Sequence, residues 1–387
     1  MPRPISPVVT VALLRRPDPA PAGPEGIARP LHGRVIGLGS IAAPDIGRWR
    51  ALARRAVEPN PFFEPELALA AAEHLDGSET SLLVVEDSDR WRACLPVRSA
   101  RFRRFLPVLR SRSHPYCFLG TPLLDDETTY PAARALLELA LNRPSREPLL
   151  LEDLAGDGPA AAAIRQAAEE LGLVALRESR RDRALLRRRA DGGYLDGMQS
   201  HRRELNRLGR RLEAELGDSV SIIDEAEDER ACDAFLALEA SGWKGRGATA
   251  LGSDPGHAAF FVRICKAFRD EGRLELLCLR VGERRVAMKC NLYAGDGGFC
   301  FKIAYDEELA RFSPGVQLER ENVRIFTEQR SELWQDSCAD PENTMINRLW
   351  PDRRPVCTIM LARGGPRATA LRHAIAFAQA VQDRERN

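Results

Sequence analysis

Phe301-Lys302-Ile303-Ala304-Tyr305-Asp306, then Glu307 to Phe312, then Ser313-Pro314-Gly315-Val316-Gln317-Leu318 is the stretch that decides the fold. It reads as a strand, a short loop and a helix start. Ser313 suits an N-cap and Pro314 the first helical position. Gly315 keeps side-chain bulk away, so an anion could approach the backbone N–H groups and the positive end of the helix dipole. Arg311 stands just before and could pair with a phosphate bidentately. Ser-Pro also opens many helices that bind nothing.

Upstream, Arg273–Val281, Val286–Tyr293 and Phe299–Tyr305 form a meander of three strands, joined by glycine-bearing turns. Two helices precede it, at Glu229–Ala240 and His257–Asp270. Downstream, the helix after Ser313 runs to about Gln329, followed by strands at Leu333–Asp336 and Val356–Leu361. The first half offers a looser version of the same order. Ile46–Val57 and Glu66–Leu75 read as helices, Ser81–Glu86 and Trp91–Val97 as a hairpin, and Tyr116–Leu119 as a further strand. Helices at Thr129–Asn142 and Ala160–Leu171 flank a strand at Pro148–Leu151. The reading is two similar α/β units in tandem, each a mixed, mostly antiparallel sheet flanked by helices.

The expected organisation is a Pro/Ala-rich arm over 1–34, a first domain over 35–190, a second over 195–365 and a C-terminal helix over 366–387. At 387 residues, with a net charge of +1, the chain does not look like a general nucleic-acid coater. No DNA partner is expected. Its nine cysteines include no C-x-x-C pair and no zinc-ligand spacing, so no metal is expected and the compartment is reducing. No run approaches the ~18 apolar residues of a membrane span. The apolar Val8–Leu14 is followed, not preceded, by Arg15-Arg16, which is the wrong order for an export signal. A cytoplasmic protein is the expectation.

Only four of the 57 basic side chains are lysine, at 244, 266, 289 and 302. In a chain that otherwise defaults to arginine, a compact ammonium at Lys244 or Lys302 invites a chemical reason. Arginine clusters in two places, Arg177–Arg189 and the helix Ser200–Leu216. Each reads either as a solvated face or as a site for a polyanion.

Three segments together resemble a known family. They are Trp243-Lys244-Gly245-Arg246-Gly247, then Tyr305-Asp306 with Arg311-Phe312-Ser313-Pro314-Gly315, and then Asp336-Ser337-Cys338-Ala339 with Met345–Trp350 and Arg353-Arg354. The pattern, over about 195–362, is similar to the CelD/BcsL-type acetyltransferases of the GNAT superfamily, which are associated with cellulose and exopolysaccharide production. The first half resembles, more faintly, the degenerate unit of tandem, FemAB-like members.

The resemblance implies acyl transfer from acetyl-CoA or another acyl-CoA to a small-molecule or sugar-linked acceptor. It implies a pyrophosphate site built from Arg311, Ser313, Gly315 and Val316. The usual loop there is Gln/Arg-x-x-Gly-x-Gly/Ala; here Pro314 replaces its first glycine and Val316 its last small residue. Proline also removes one N–H. A backbone N–H near Ile303 would steady the oxyanion. Asp306 is the candidate general base and Tyr305 the candidate acid for the leaving thiolate. The same pair serves equally as strand-end packing and a turn cap. Trp243 and Lys244 would wall the acceptor. Two other readings stand beside this one. One is a FemAB-like aminoacyl transferase fed by charged tRNA, and the other is a non-catalytic accessory protein that keeps the fold alone.

Overall fold

The computed structural model describes residues 30–75, 80–88, 90–111, 114–189, 199–242, 247, 250–366, 368–373 and 375. The first half runs β1 (His32–Gly37), α1 (Ala43–Arg55), α2 (Pro65–His74), β2 (Ser81–Glu86), β3 (Trp91–Phe102) and β4 (Leu106–Arg110). It continues with β5 (Leu123–Leu124), α3 (Thr129–Leu141), β6 (Leu149–Ala155), α4 (Pro159–Glu170) and β7 (Leu173–Arg187). After α5 (Gln199–Leu216) the order repeats. It runs β8 (Val220–Asp224), α6 (Ala231–Ser241), α7 (Pro255–Asp270), β9 (Leu274–Val281), β10 (Arg284–Ala294) and β11 (Gly297–Tyr305). Then come α8 (Pro314–Glu328), β12 (Trp334–Asp336), α9 (Thr344–Leu349) and β13 (Asp352–Arg363).

The tandem expectation is met element by element. Each half is a strand, two helices, an antiparallel meander, a helix, a parallel strand, a helix and a last strand. The last strands are exchanged. β7, which closes the first half, pairs antiparallel with β12 of the second, and β13 pairs antiparallel with β6 of the first. β7 and β13 then pair with each other from Leu173↔Arg363 to Leu185↔Asp352. One continuous sheet results, ordered β1-β2-β3-β4-β6-β13-β7-β12-β11-β10-β9-β8. The arginine-rich segment Arg177–Arg189 is therefore largely central strand; Arg183 is buried in it, while Arg180, Arg181, Arg187, Arg188 and Arg189 keep a solvated face.

Both faces of the second half are covered, which is why β9 and β10 read as nearly unbroken apolar runs. Leu276, Cys278, Met288 and Cys290 pack with Phe235, Phe260 and Phe261 of α6 and α7. Leu277, Leu279 and Ala287 pack instead with Leu212 of α5 and Leu318 of α8. Alternate residues thus serve opposite layers, as the pleat requires.

The structure departs from the sequence reading in several places. Tyr116–Leu119 is not a strand; the Asn60 side-chain amide donates to the Leu119 and Thr121 carbonyls and holds the segment as a loop. β4, β5, β8 and α9 have no counterpart in the sequence reading. β1 begins at His32, inside the stretch assigned to the N-terminal arm. The rest of that arm, residues 1–29, lies outside the described residues, as do residues 376–387 of the C-terminal helix.

Candidate functional site

β11 is the strand on which the site converges. Its parallel pairing with β12 covers only Gly297–Phe299 with Trp334–Asp336. Against β10 its register slips by one: Cys300 faces Asn291, and Lys302 faces Cys290. Phe301 is the extra residue. A bulge of this kind re-aims every side chain beyond it. Phe301 and Lys302 consequently both serve the α6/α7 layer, while Ile303 and Tyr305 face α8.

On the α8 side, three expected residues come together. A Cβ built on Gly315 would lie 3.4 Å from Tyr305 Cδ1 and 3.9 Å from Ile303 Cδ1, so the helix start is seated against the strand end. Pro314 occupies the first turn as expected. Ser313 stands at the N-cap position, but its hydroxyl caps nothing: its backbone is left-handed, φ 54° and ψ 48°. That conformation is rare without a glycine. It turns the Ser313 carbonyl inward to accept from the Val316 and Gln317 N–H groups, and the expected side-chain cap is lost. Val316 is half-buried against the cluster of Phe326, Ile346 and Trp350. The small Gly315, the uncapped helix start and the dipole fit an anionic group such as a pyrophosphate. Arg311 is close by, but its guanidinium donates to Glu215 of α5 and to the Glu308 carbonyl.

Asp306 is differently placed from a free base. Its Oδ1 accepts from the Glu308 N–H, capping the 3-10 turn Glu307–Phe312, and its Oδ2 accepts from Arg284 at 2.6 Å. Trp243 and Lys244 lie outside the described residues.

On the opposite side of β11 is a cluster that the sequence reading did not assemble. Lys302 Nζ lies 3.3 Å from Glu239 Oε1 and 5.2 Å from the centre of the Tyr116 ring. Glu239 also accepts from the Leu251 N–H at 2.8 Å. The Tyr116 hydroxyl and His257 Nδ1 share a hydrogen bond of 2.9 Å. Burial, followed by the negative charges of Glu239 and Asp254, pushes the Tyr116 phenol up to about 12. Tyr116 comes from the first half and the other three from the second. Lys302 was legible as one of four lysines. His257 opens a helix, and its partner lies 141 positions away, so no local pattern pairs the two.

Beneath α8 lies a buried polar network. Lys289 Nζ meets Glu319 Oε2 at 2.6 Å, and Glu319 Oε1 accepts from Trp350 Nε1 and Asn322. Asn322 reaches Gln335 of β12 and Asn291 of β10. This ties α8 to β10 and β12, the two strands on either side of β11. Among the described residues no group of three or more His, Cys, Asp or Glu could hold a metal ion.

Residues 199–330 match the family described as acetyltransferase (GNAT) domain, so the second half carries the fold of an acyltransferase. Similar solved structures include FemX (TM-score 0.56, 10% identity, 81% of this chain and 95% of that one). A conserved protein of unknown function from Bacteroides thetaiotaomicron gives 0.54, at 12% identity over 86% and 100%. The C-terminal domain of a putative lysylphosphatidylglycerol synthetase from Agrobacterium fabrum gives 0.51, at 13% identity over 88% and 96%. At these identities the likeness is one of fold. No curated protein matches.

Proposed function

We propose that the chain transfers an acyl group from acetyl-CoA, or another acyl-CoA, to an amine or hydroxyl acceptor. The supporting observation is the end of β11. There Gly315 and the uncapped α8 start meet Ile303 and Tyr305 on one face, and a polar cluster from both halves occupies the other. The α8 start would hold the pyrophosphate, with Gly315 and Val316 lining it. A backbone N–H near Ile303 would steady the oxyanion, and Tyr305 would protonate the leaving thiolate. The thioester supplies an already activated carbonyl. This chain's residues need only position the acceptor and take its proton.

For the acceptor we propose a small-molecule or sugar-linked group of cellulose or exopolysaccharide metabolism. That finer reading rests on the likeness of Tyr305–Gly315 and Asp336–Arg354 to the CelD/BcsL type. It puts the protein in the cytoplasm, where acyl-CoA is made. No helix among the described residues is long and apolar enough to cross a membrane.

One observation favours a second reading, an acyl donor carried on tRNA. α5 lies beside the α8 start, since a Cβ on its Gly209 would be 3.1 Å from Gln317 Oε1, and it exposes Arg203, Arg210 and Arg211. Titration calorimetry separates the two. Acetyl-CoA binding that is lost in Gly315→Leu supports the first reading. Salt-sensitive tRNA binding without any CoA binding replaces it with the second.

A further inference from the structure

We propose that His257 is the general base toward the acceptor and that Tyr116, from the other half, is the positioning residue that fixes its imidazole. This rests on the acyl-transfer reading above. It concerns a pair that no motif identifies.

The geometry is built from three directions. His257 sits in the first turn of α7, where the Asp254 carboxylate caps the helix by accepting from the Gly256 and His257 N–H groups at 2.7 and 3.1 Å. The backbone under the imidazole is therefore fixed. The Tyr116 ring is stacked on Phe260 of the same helix, 5.4 Å apart with 15° between the planes, and meets the imidazole edge-on at 5.4 Å. Lys302 closes its other side. Tyr116 is buried and His257 is half-exposed. The buried hydroxyl holds Nδ1, and Nε2 is the nitrogen left to meet a substrate. The phenol stays protonated through the neutral range, so it remains a neutral partner rather than a second charge.

Placement across the sheet completes the argument. The bulge at Phe301 sends Lys302 to the Tyr116–His257 side and Ile303 to the α8 side. A donor seated at α8 and an acceptor held beside Lys302 and Glu239 then approach the same strand from opposite faces, beyond the point where β12 stops pairing. Asp306, the other candidate base, is occupied by its turn cap and by Arg284.

In the step, His257 Nδ1–H donates to the Tyr116 oxygen and Nε2 accepts the proton of the acceptor amine or hydroxyl. The new bond forms between the acceptor atom and the thioester carbonyl carbon, and the C–S bond breaks. The thiolate leaves with a proton returned from the imidazolium or through Tyr305, so no other reactant is needed. The titratable and charged groups around His257 include Tyr116 and His114 of the loop, Asp254, Glu239, Lys302, Arg263 of α7, and His74 and Glu73 of α2, with Arg263 paired to Glu73.

The test uses the full chain in two measurements. Acetyl-CoA affinity is measured by calorimetry, and CoA release is followed against pH with glucosamine, or water alone, as acceptor. His257→Ala and His257→Gln should bind acetyl-CoA as the wild type does, lose on the order of 100-fold or more in rate, and lose the acidic limb of the pH profile. In parallel, histidine-labelled protein is examined by nitrogen NMR, with the His257 signal assigned by its loss in His257→Ala. Nδ1–H should be the protonated nitrogen in the wild type, and Tyr116→Phe should shift the population toward Nε2–H. Wild-type rates in both His257 variants, with binding intact, overturn the inference and leave acyl transfer standing. If the wild type binds no acetyl-CoA, the acyl-CoA reading falls instead. The tautomer still decides: an Nε2–H imidazole in the wild type overturns the arrangement, and an Nδ1–H imidazole that depends on Tyr116 supports it.

Discussion

The Asp336 carboxylate lies 2.8 Å from the Arg183 guanidinium, and both side chains are buried. Asp336 is on β12, Arg183 on the exchanged strand β7. A second guanidinium, Arg354 of β13, reaches the same Oδ2 at 2.8 Å, and Arg183 also donates to the Phe118 carbonyl of the first half. Burial alone would push the Asp336 carboxyl up. Arg183 and Arg354, with the Cys338 N–H, outweigh it and hold the group below the ordinary carboxylate range. One carboxylate therefore ties together the strands that the two halves exchange.

Asp336→Ala should accordingly be severe. It leaves two guanidiniums buried without their anion, a defect that costs about 3–5 kcal/mol in comparable pairs. Urea denaturation of the variant measures it. A loss under about 1 kcal/mol, the scale of an exposed pair, would mean that water already reaches the site.

Glu64 gives the pH dependence its sign. It precedes α2, and its Oε2 accepts from Arg273 of the second half at 2.7 Å. Burial is the largest influence and Arg273 only partly offsets it, so the carboxyl is pushed from 4.5 up to about 7. Between those values the folded state holds a proton that the unfolded chain has released. Stability should therefore fall as pH rises through that window. Glu64→Gln removes the titrating group. Urea midpoints at pH 5 and pH 7 should converge in the variant and differ more in the wild type; parallel profiles would rule out the assignment. Asp336 acts with the opposite sign and at lower pH, since its depressed carboxyl favours folding until acid protonates it.

Much of the second half was legible because its signals are local. β9 to β11 are apolar runs separated by glycine turns, and Ser313-Pro314-Gly315 marks the start of α8. What was not legible depends on distant partners. The exchange of β7 and β13 joins residues roughly at 173–187 and 352–363, and neither strand carries a local sign of it. Tyr116–Leu119 has a strand's composition, yet its Phe118 and Leu119 carbonyls accept from the Arg183 and Asn60 side chains. The bulge at Phe301 leaves no mark in the sequence, although it decides which face Lys302 serves. Ser313 shows the limit of a local rule: it occupies the cap position in a backbone conformation that turns its hydroxyl away from the task.

Gly297→Ala tests the short junction of β11 with β12. A Cβ there would come within 2.2 Å of the Trp334 ring, which also meets Phe299 edge-on and lies under Arg354 at 4.1 Å. The indole must move, and overpacking of this kind costs about 1–3 kcal/mol. The shift should also weaken acetyl-CoA binding, because the same pairing sets where β11 and β12 part. Thermal melts and calorimetry on one preparation read both effects. A stable variant with unchanged affinity would separate the junction from the site.

Asp306 and His257 are alternative bases, and Asp306→Asn distinguishes them. Asparagine can still accept from the Glu308 N–H, so the 3-10 turn keeps its cap, and only the charge opposite Arg284 is lost. If Asp306 is structural, the variant should lose about 1 kcal/mol or less of stability and keep its rate within a few fold. Asp306→Ala loses the cap as well, so it should be the less stable of the two while turning over at a similar rate when folded. If Asp306 takes the acceptor proton, Asp306→Asn should fall by on the order of 100-fold or more at unchanged acetyl-CoA affinity, because an amide cannot accept that proton. Arg284→Ala supplies the control. It removes the same ion pair without touching the carboxylate, so a shared small effect in Arg284→Ala and Asp306→Asn identifies Asp306 as an anchor of the turn.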